Sequence, residues 1–154
     1  MSRAKRLKAG NSINGLFFPV FYHLLMSPNF CSLSGSSVKL FFALAAQIRP
    51  VRGRYAKNNG DLTVALSVLK PLGFKSQNTV TAAKNELLEK GWIELTKLGG
   101  LEKGPSLYAL TIFPINECGG KLDVQATDTP SNAWREYQLL DASPDIKTIS
   151  KGRK

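Results

Sequence analysis

Apolar residues recur along this chain with two periods, and each change of period marks the edge of an element. Between residues 38 and 48, Val38, Leu40, Phe41, Phe42, Leu44, Ala45 and Ile48 cover most of a helical circumference. A helix that is apolar nearly all round belongs inside a domain, so this segment is predicted to be its buried spine. Ser34 or Ser36 can cap its first turn, and Pro50, which lacks an amide donor, stops it. The preceding run from Ser27 to Ser37 is dense in turn and capping residues, with Phe30 and Leu33 as anchors. After the spine, Asn58-Asn59-Gly60 favours positive φ and predicts a tight turn into a short extended piece, Asp61-Leu62-Thr63. Residues 64–69 read as a short helix with Val64, Leu66, Val68 and Leu69 facing inward, ended by Pro71 and Gly73.

The next helix has a marked beginning and end. Ser76 stands at its N-cap with Phe74 placed as a hydrophobic staple, and Gly91 suits the left-handed residue that closes it. At about 100° per residue, Val80, Ala83, the stem of Lys84, Leu87 and Leu88 fall on one side. Asn78, Thr81, Ala82, Asn85 and Glu89 fall on the other, so one side packs and the other is left for solvent or a partner. Beyond Gly91, residues 92–98 and 107–113 are strand-like runs joined by the glycine-rich stretch 99–106, a hairpin with a long tip. The order helix, short strand, helix, tight turn, helix, hairpin predicts an α+β fold of the winged helix-turn-helix kind, a three-helix core with a small antiparallel β-hairpin wing. Phe41, Phe42, Leu87, Leu88, Trp92, Ile93, Leu110 and Ile112 are its expected core.

The flanks differ from this centre. Residues 1–15 have almost nothing to bury and read as a flexible basic arm, while 16–113 hold the periodic elements. Residues 114–154 lose periodicity and read as an extended, partly disordered tail, with a short turn near 133–140 through which Trp134 and Tyr137 can fold back on the core.

Charge sharpens the picture. The formal net charge is +10, and residues 1–60 carry nine Lys or Arg with no Asp or Glu, whereas 61–113 carry six basic and five acidic and 114–154 six of each. A cationic front on a short chain points to a polyanionic partner. Other chemistries find little footing. Cys31 and Cys118 are far apart with no paired spacing, and His23 is the single histidine, so no metal, redox site or cofactor is expected. The thiols read as buried or idle, and His23, within an apolar stretch, as a hydrogen-bonded structural residue. Without paired carboxylates or a phosphate-cradling glycine loop, the chain is not expected to be an enzyme. The apolar run at 16–26 is broken by Pro19 and His23 and is too short to cross a bilayer, which argues against a membrane partner and for a cytoplasmic, nucleoid-associated protein. No heptad or apolar surface helix is visible, which leaves a homodimer open.

Several short segments carry a resemblance. Ser27-Pro28-Asn29-Phe30 with Leu33-Ser34 precedes the first long helix, Asn58-Asn59-Gly60-Asp61-Leu62 precedes the second, and Thr79-Val80 with residues 86–93 (Glu-Leu-Leu-Glu-Lys-Gly-Trp-Ile) runs through the third. Residues 105–111 close the hairpin and Cys118-Gly119-Gly120-Lys121-Leu122-Asp123 follows it. In these the chain resembles small winged-helix proteins of bacterial prophages and integrative elements, themselves similar to the N-terminal DNA-binding domains of phage and plasmid replication proteins. The resemblance spans residues 16–134 and implies sequence-selective binding of double-stranded DNA, as a transcription regulator or as a replication or maintenance factor of a mobile element.

In a helix-turn-helix module the second helix of the pair enters the major groove. Gln77, Asn78, Thr81 and Asn85 on the outward face of the third helix are therefore the expected base-reading residues, amides for adenine edges and a threonine methyl for thymine. Lys75 and Ser76 at the helix start and Lys84 on its flank are placed for phosphates. Arg49, Arg52, Arg54 and Lys57 in the loop after the spine, with Arg3, Lys5, Arg6 and Lys8 in the arm, form the strongest cationic set, and Tyr55 lies among them. Lys97 and Lys103 on the wing add phosphate contacts beside a minor groove, offset by Glu102. The competing class is a protein-interaction adaptor, in which the same helix face or the Trp134 and Tyr137 tail docks a replication protein.

Overall fold

The computed structural model describes residues 17–49 and 57–137. Its elements in chain order are α1 (Tyr22–Leu25), α2 (Pro28–Cys31), α3 (Gly35–Ala45), β1 (Leu62–Thr63), α4 (Leu66–Leu69), α5 (Gln77–Glu89), β2 (Ile93–Lys97) and β3 (Leu107–Leu110). Three-residue 3-10 turns follow α4 at Lys70–Leu72 and occur again at Cys118–Gly120 and Ala133–Arg135. The strands make one antiparallel sheet in the order β1-β3-β2, so the fold is mixed α+β with its last strand in the centre.

α3 is the spine. Ser34 caps it, its hydroxyl accepting from the Ser37 amide at 3.2 Å, and Leu40, Phe41 and Leu44 are fully buried. Phe42, expected in the core, is 40% exposed. It falls on the side of α3 away from Leu40 and Leu44 and meets Phe41 edge-on, ring centroids 5.5 Å apart. Past α3, Asn58 clamps the chain end, donating to the Gln47 carbonyl and accepting from the Arg49 amide. The positive φ expected across Asn58-Asn59-Gly60 is confined to Gly60; the two asparagines act through their amides instead. The short second helix begins two residues later than expected and is prolonged by its 3-10 turn, which Gly73 ends at φ 93°.

α5 lies against α3 as its amphipathic pattern demands. Val80, Ala83 and Leu87 are buried, whereas Asn78, Thr81, Ala82, Asn85 and Glu89 are exposed. Gly91 closes it at φ 78°, with the Gly91 amide on the Leu88 carbonyl and the Trp92 amide on the Leu87 carbonyl at 2.9 Å. That paired bonding is the glycine C-cap in which a left-handed residue satisfies the last carbonyls. A side chain at Gly91 would also strike the backbone of Ala133, which packs against the turn. Ser76 occupies the N-cap with extended geometry, but its hydroxyl makes no cap bond.

The sheet departs once from a regular ladder. Leu95 pairs with Tyr108 and Lys97 with Leu107, leaving Thr96 as the extra residue of a bulge. The bulge turns Thr96 inward, and its hydroxyl donates to the Gly60 carbonyl at 2.5 Å, tying β2 to the turn before β1. Residues 114–137, which lack periodicity, run back over the core. The Asp123 amide donates to the Thr96 carbonyl, the Thr127 amide to the Ile115 carbonyl and the Asn132 amide to the Thr111 carbonyl. Trp134 ends buried, its indole stacked on that of Trp92 at 5.0 Å and 7°.

Two buried asparagines hold distant segments together. Asn59 is fully buried: its Nδ2 donates to the carbonyls of Leu110, Phe113 and Pro114, and its Oδ1 accepts from the Leu110 amide at 2.8 Å. Asn29 donates to the carbonyls of Lys90 and Trp134 and accepts from the Trp92 indole N–H at 2.9 Å. Neither could be replaced by an apolar side chain without orphaning several buried groups.

A third polar tie joins the two long helices. Glu86 on α5 accepts from the Ser34 and Ser37 hydroxyls, from the Ser34 amide at the start of α3, and from the Lys90 ammonium at 2.9 Å. Burial by itself pushes this carboxyl up. The hydroxyls of Ser37 and Ser34, the Lys90 ammonium and the Ser34 amide outweigh it together and bring the pKa down to about 2.

Two predictions follow from these ties. Asn59→Ala leaves at least one buried amide and several carbonyls without partners and is expected to destabilise the protein by about 2–4 kcal/mol. Urea unfolding should show a lower midpoint with an unchanged slope; a change under about 0.5 kcal/mol would remove Asn59 from its role. Glu86→Gln is expected to cost about 1–3 kcal/mol at neutral pH. Because the folded carboxyl binds its proton less tightly than the unfolded one, this stabilisation is complete above the ordinary value of 4.5 and lost as pH falls toward about 2. Unfolding curves of wild type and variant should therefore differ at pH 7 and converge in acid. Parallel pH profiles would contradict it.

Candidate nucleic-acid interface

The turn between α4 and α5 is built by Gly73 and by a lysine from elsewhere in the chain. Lys39, on α3, donates to the Gly73 carbonyl at 2.8 Å and lies over the Phe74 ring at 5.2 Å. Its stem therefore packs the turn while its ammonium sits at the approach to α5. Lys70 and Lys75 are exposed in the same turn. The result is three cations, Lys39, Lys70 and Lys75, gathered just before a helix whose first turn holds no acidic residue. Of these only Lys75 is picked out by sequence reasoning. Lys39 lies too far upstream for spacing to reveal what it faces, and Lys70 reads as one charge on a short helix.

From that start α5 presents Gln77, Asn78, Thr81 and Asn85, all exposed and within one arc of its surface. Gln77 reaches Thr81 at 3.4 Å, one turn along, so two members of the row touch. Each offers an uncharged donor and acceptor, and Thr81 also a methyl group. Lys84, half-buried on the flank, is aligned with the same side. The one carboxylate between Gln77 and Leu88, Glu86, is spent on Ser34, Ser37 and Lys90, while Glu89 is exposed in the last turn. Residues 114–137 meet α5 at its other end, where Ala133 abuts Gly91, and leave the polar row uncovered.

The remaining cations are not all brought to this place. Arg49 and Lys57 are exposed beside Asn58, past the end of α3 away from Lys39. Arg52, Arg54 and Tyr55, with Arg3, Lys5, Arg6 and Lys8, lie outside the described residues. On the hairpin, Lys97 is half-buried near the stem and Lys103 exposed at the tip. The tip is shaped by backbone bonds from the Gly100 amide to the Gly104 carbonyl and from the Lys103 amide to the Gly100 carbonyl, and Gly99 runs so close to residues 104–106 that no side chain fits there. Leu101 and Glu102 share the tip with Lys103, and Asp123 at the stem is engaged by the Leu98 amide at 3.0 Å. The hairpin is thus a mixed surface, less cationic than the α4–α5 turn.

Other residues fall outside this site. His23, expected to be a hydrogen-bonded structural residue, is exposed and stacked between Phe21 and Trp134. Its neighbours Phe21, Tyr22, Leu25 and Met26 face outward, and its ring is held by stacking instead. Cys31 is exposed rather than buried, and Cys118 is half-buried, its thiol pushed up by burial and by the nearby Asp61 carboxylate. Among the described residues no group of three His, Cys, Asp or Glu is placed to hold a metal ion, and no helix is long and apolar enough to cross a membrane. No family model, curated protein or solved structure matches this chain.

Proposed function

We propose that this protein binds double-stranded DNA sequence-selectively through a winged helix, with α3, α4 and α5 as the three-helix core and the β2–β3 hairpin as the wing. The observation that carries the reading is the outward face of α5: four uncharged hydrogen-bonding side chains, Gln77, Asn78, Thr81 and Asn85, exposed on a helix entered through Lys39, Lys70 and Lys75. A row of amides and a hydroxyl whose one exposed carboxylate, Glu89, stands at its far end suits base edges flanked by phosphates better than it suits bulk solvent alone.

Each group then has a task. The helix start, with its unpaired amides and no acidic residue, favours a phosphate oxygen, and the three lysines neutralise its neighbours. Asn78 and Asn85 offer bidentate amides for adenine, and the Thr81 methyl a contact for thymine. Lys97 and Lys103 on the wing touch the backbone alongside. The excess of cations in residues 1–60 steers the approach. By the resemblance noted above, the setting is a mobile genetic element, in regulation of transcription or in replication and maintenance.

Random-site selection followed by fluorescence anisotropy tests this. If four to six phosphates are neutralised, log affinity against log salt should fall with a slope of roughly −4 to −5. Asn78→Ala with Asn85→Ala should erase the preference for the selected site, by about 1–3 kcal/mol per lost base contact, and leave non-specific binding intact. Lys75→Ala should weaken all sequences alike and flatten the slope by about one. No duplex binding, or binding insensitive to salt, would sink the proposal.

A further inference from the structure

α1 is a single helical turn whose outward face is apolar. Leu24 points into the core at 1% exposure, whereas Phe21, Tyr22, Leu25 and Met26 are 51%, 76%, 37% and 61% exposed. Positions i, i+1, i+4 and i+5 form one continuous arc on the side away from Leu24. Phe17, also more than half exposed, precedes them. An apolar surface helix, not evident from periodicity because α1 is too short to show one, is therefore present.

The stretch of chain that forms this face is also free of charge. No Lys, Arg, Asp or Glu occurs between Ala9 and Val38. At roughly 200 Å² for each aromatic side chain, these five residues expose on the order of 500 Å² of apolar surface, a size that marks an interaction site. Stable dimers hide about 800 Å² per partner, and the exposed, uncharged Pro28, Cys31 and His23 around the patch supply the rest. Beside it opens a cleft of about 240 Å³ lined by Phe21, His23, Ile112, Pro130, Trp134 and Arg135.

We propose that the α1 face is the interface with a second copy of this chain, two α1 turns packing across a two-fold axis with Tyr22 of each copy entering the cleft of the other. Projection and cleft adjoin on one surface, so a two-fold operation satisfies both at once and closes the assembly. Two molecules of net charge +10 repel wherever their cations meet, and the α1 stretch brings none to the contact; the one cation lining the cleft, Arg135, lies over the Trp134 ring. A lipid surface would call for Lys or Arg along the rim of the helix, and the stretch from 9 to 38 has neither. The inference goes beyond DNA binding and does not depend on it; with both in force, the bound site is two-fold symmetric with two half-sites.

Sedimentation equilibrium of the full chain without DNA decides it. At micromolar to submillimolar concentration the wild type should show twice the 16.8 kDa of one chain, and Tyr22→Glu with Met26→Glu should return it to one. Both side chains are exposed, and near-ultraviolet dichroism of the Trp92–Trp134 stack reports whether the variant is folded. If that signal is lost, Tyr22→Ser replaces the double variant, with a weaker dimer expected. A monomeric wild type, or a folded variant that remains dimeric, overturns the proposal. So does flotation of a monomeric wild type with phosphatidylserine vesicles that depends on Tyr22, which would assign the face to lipid. Because no DNA is present, a failure here and a failure of duplex binding are read separately.

Discussion

The Trp92 indole is completely removed from water at the point where α5 becomes β2, and most of the molecule is arranged around it. Phe30 and Phe41 meet it edge-on at 5.6 and 5.8 Å, Trp134 stacks on its open face, and Asn29 accepts its N–H. A large aromatic with one polar atom can be buried only if that atom finds a partner. Asn29 provides the partner, and in donating to the carbonyls of Lys90 and Trp134 it draws α2, the end of α5 and residues 114–137 into one contact. The direction in which α5 leaves the core is thereby set.

The other polar ties serve the same end. Asn59 and Thr96 fasten the turn before β1 to β3 and β2, and Glu86 fastens α5 to the first turn of α3. None of these is an apolar contact, and none tolerates a shift in register, because a hydrogen bond lost in a dry interior costs more than one gained in water returns. Apolar burial holds the helices near one another; these bonds choose which of many compact arrangements survives.

What faces outward follows from this. Since Val80, Ala83 and Leu87 are committed to α3, the amide and hydroxyl row of α5 has no partner inside the protein, and since Glu86 is committed to Ser34 and Ser37, no carboxylate stands in that row before Glu89. The apolar face of α1 lies near Trp134, by the closing end of α5, and the lysines gather at its opening end. Self-association and anion binding would thus use opposite ends of one helix and not compete.

Local patterns could be read directly. The α5 helix, its division into a packing and an open side, Gly91 as its end, the brief strand at Leu62 and the hairpin all rest on neighbours within a few positions, and each stands in the structure. Gln77, Asn78, Thr81 and Asn85 belong to this class, because a helical period alone puts them on the exposed side. Lys39 at the turn before α5, the outward Phe42, the stacked His23 and the interior amide of Asn59 do not; the return of Trp134 is foreshadowed by its turn, but its stacking on Trp92 is not. Each depends on partners brought from afar, as when Asn29 meets the carbonyl of a residue 105 positions away. A single chain carries period, caps and charge in its order of residues, and so settles which elements form; which side chains those elements cover is a property of their packing, where contacts distant in sequence decide.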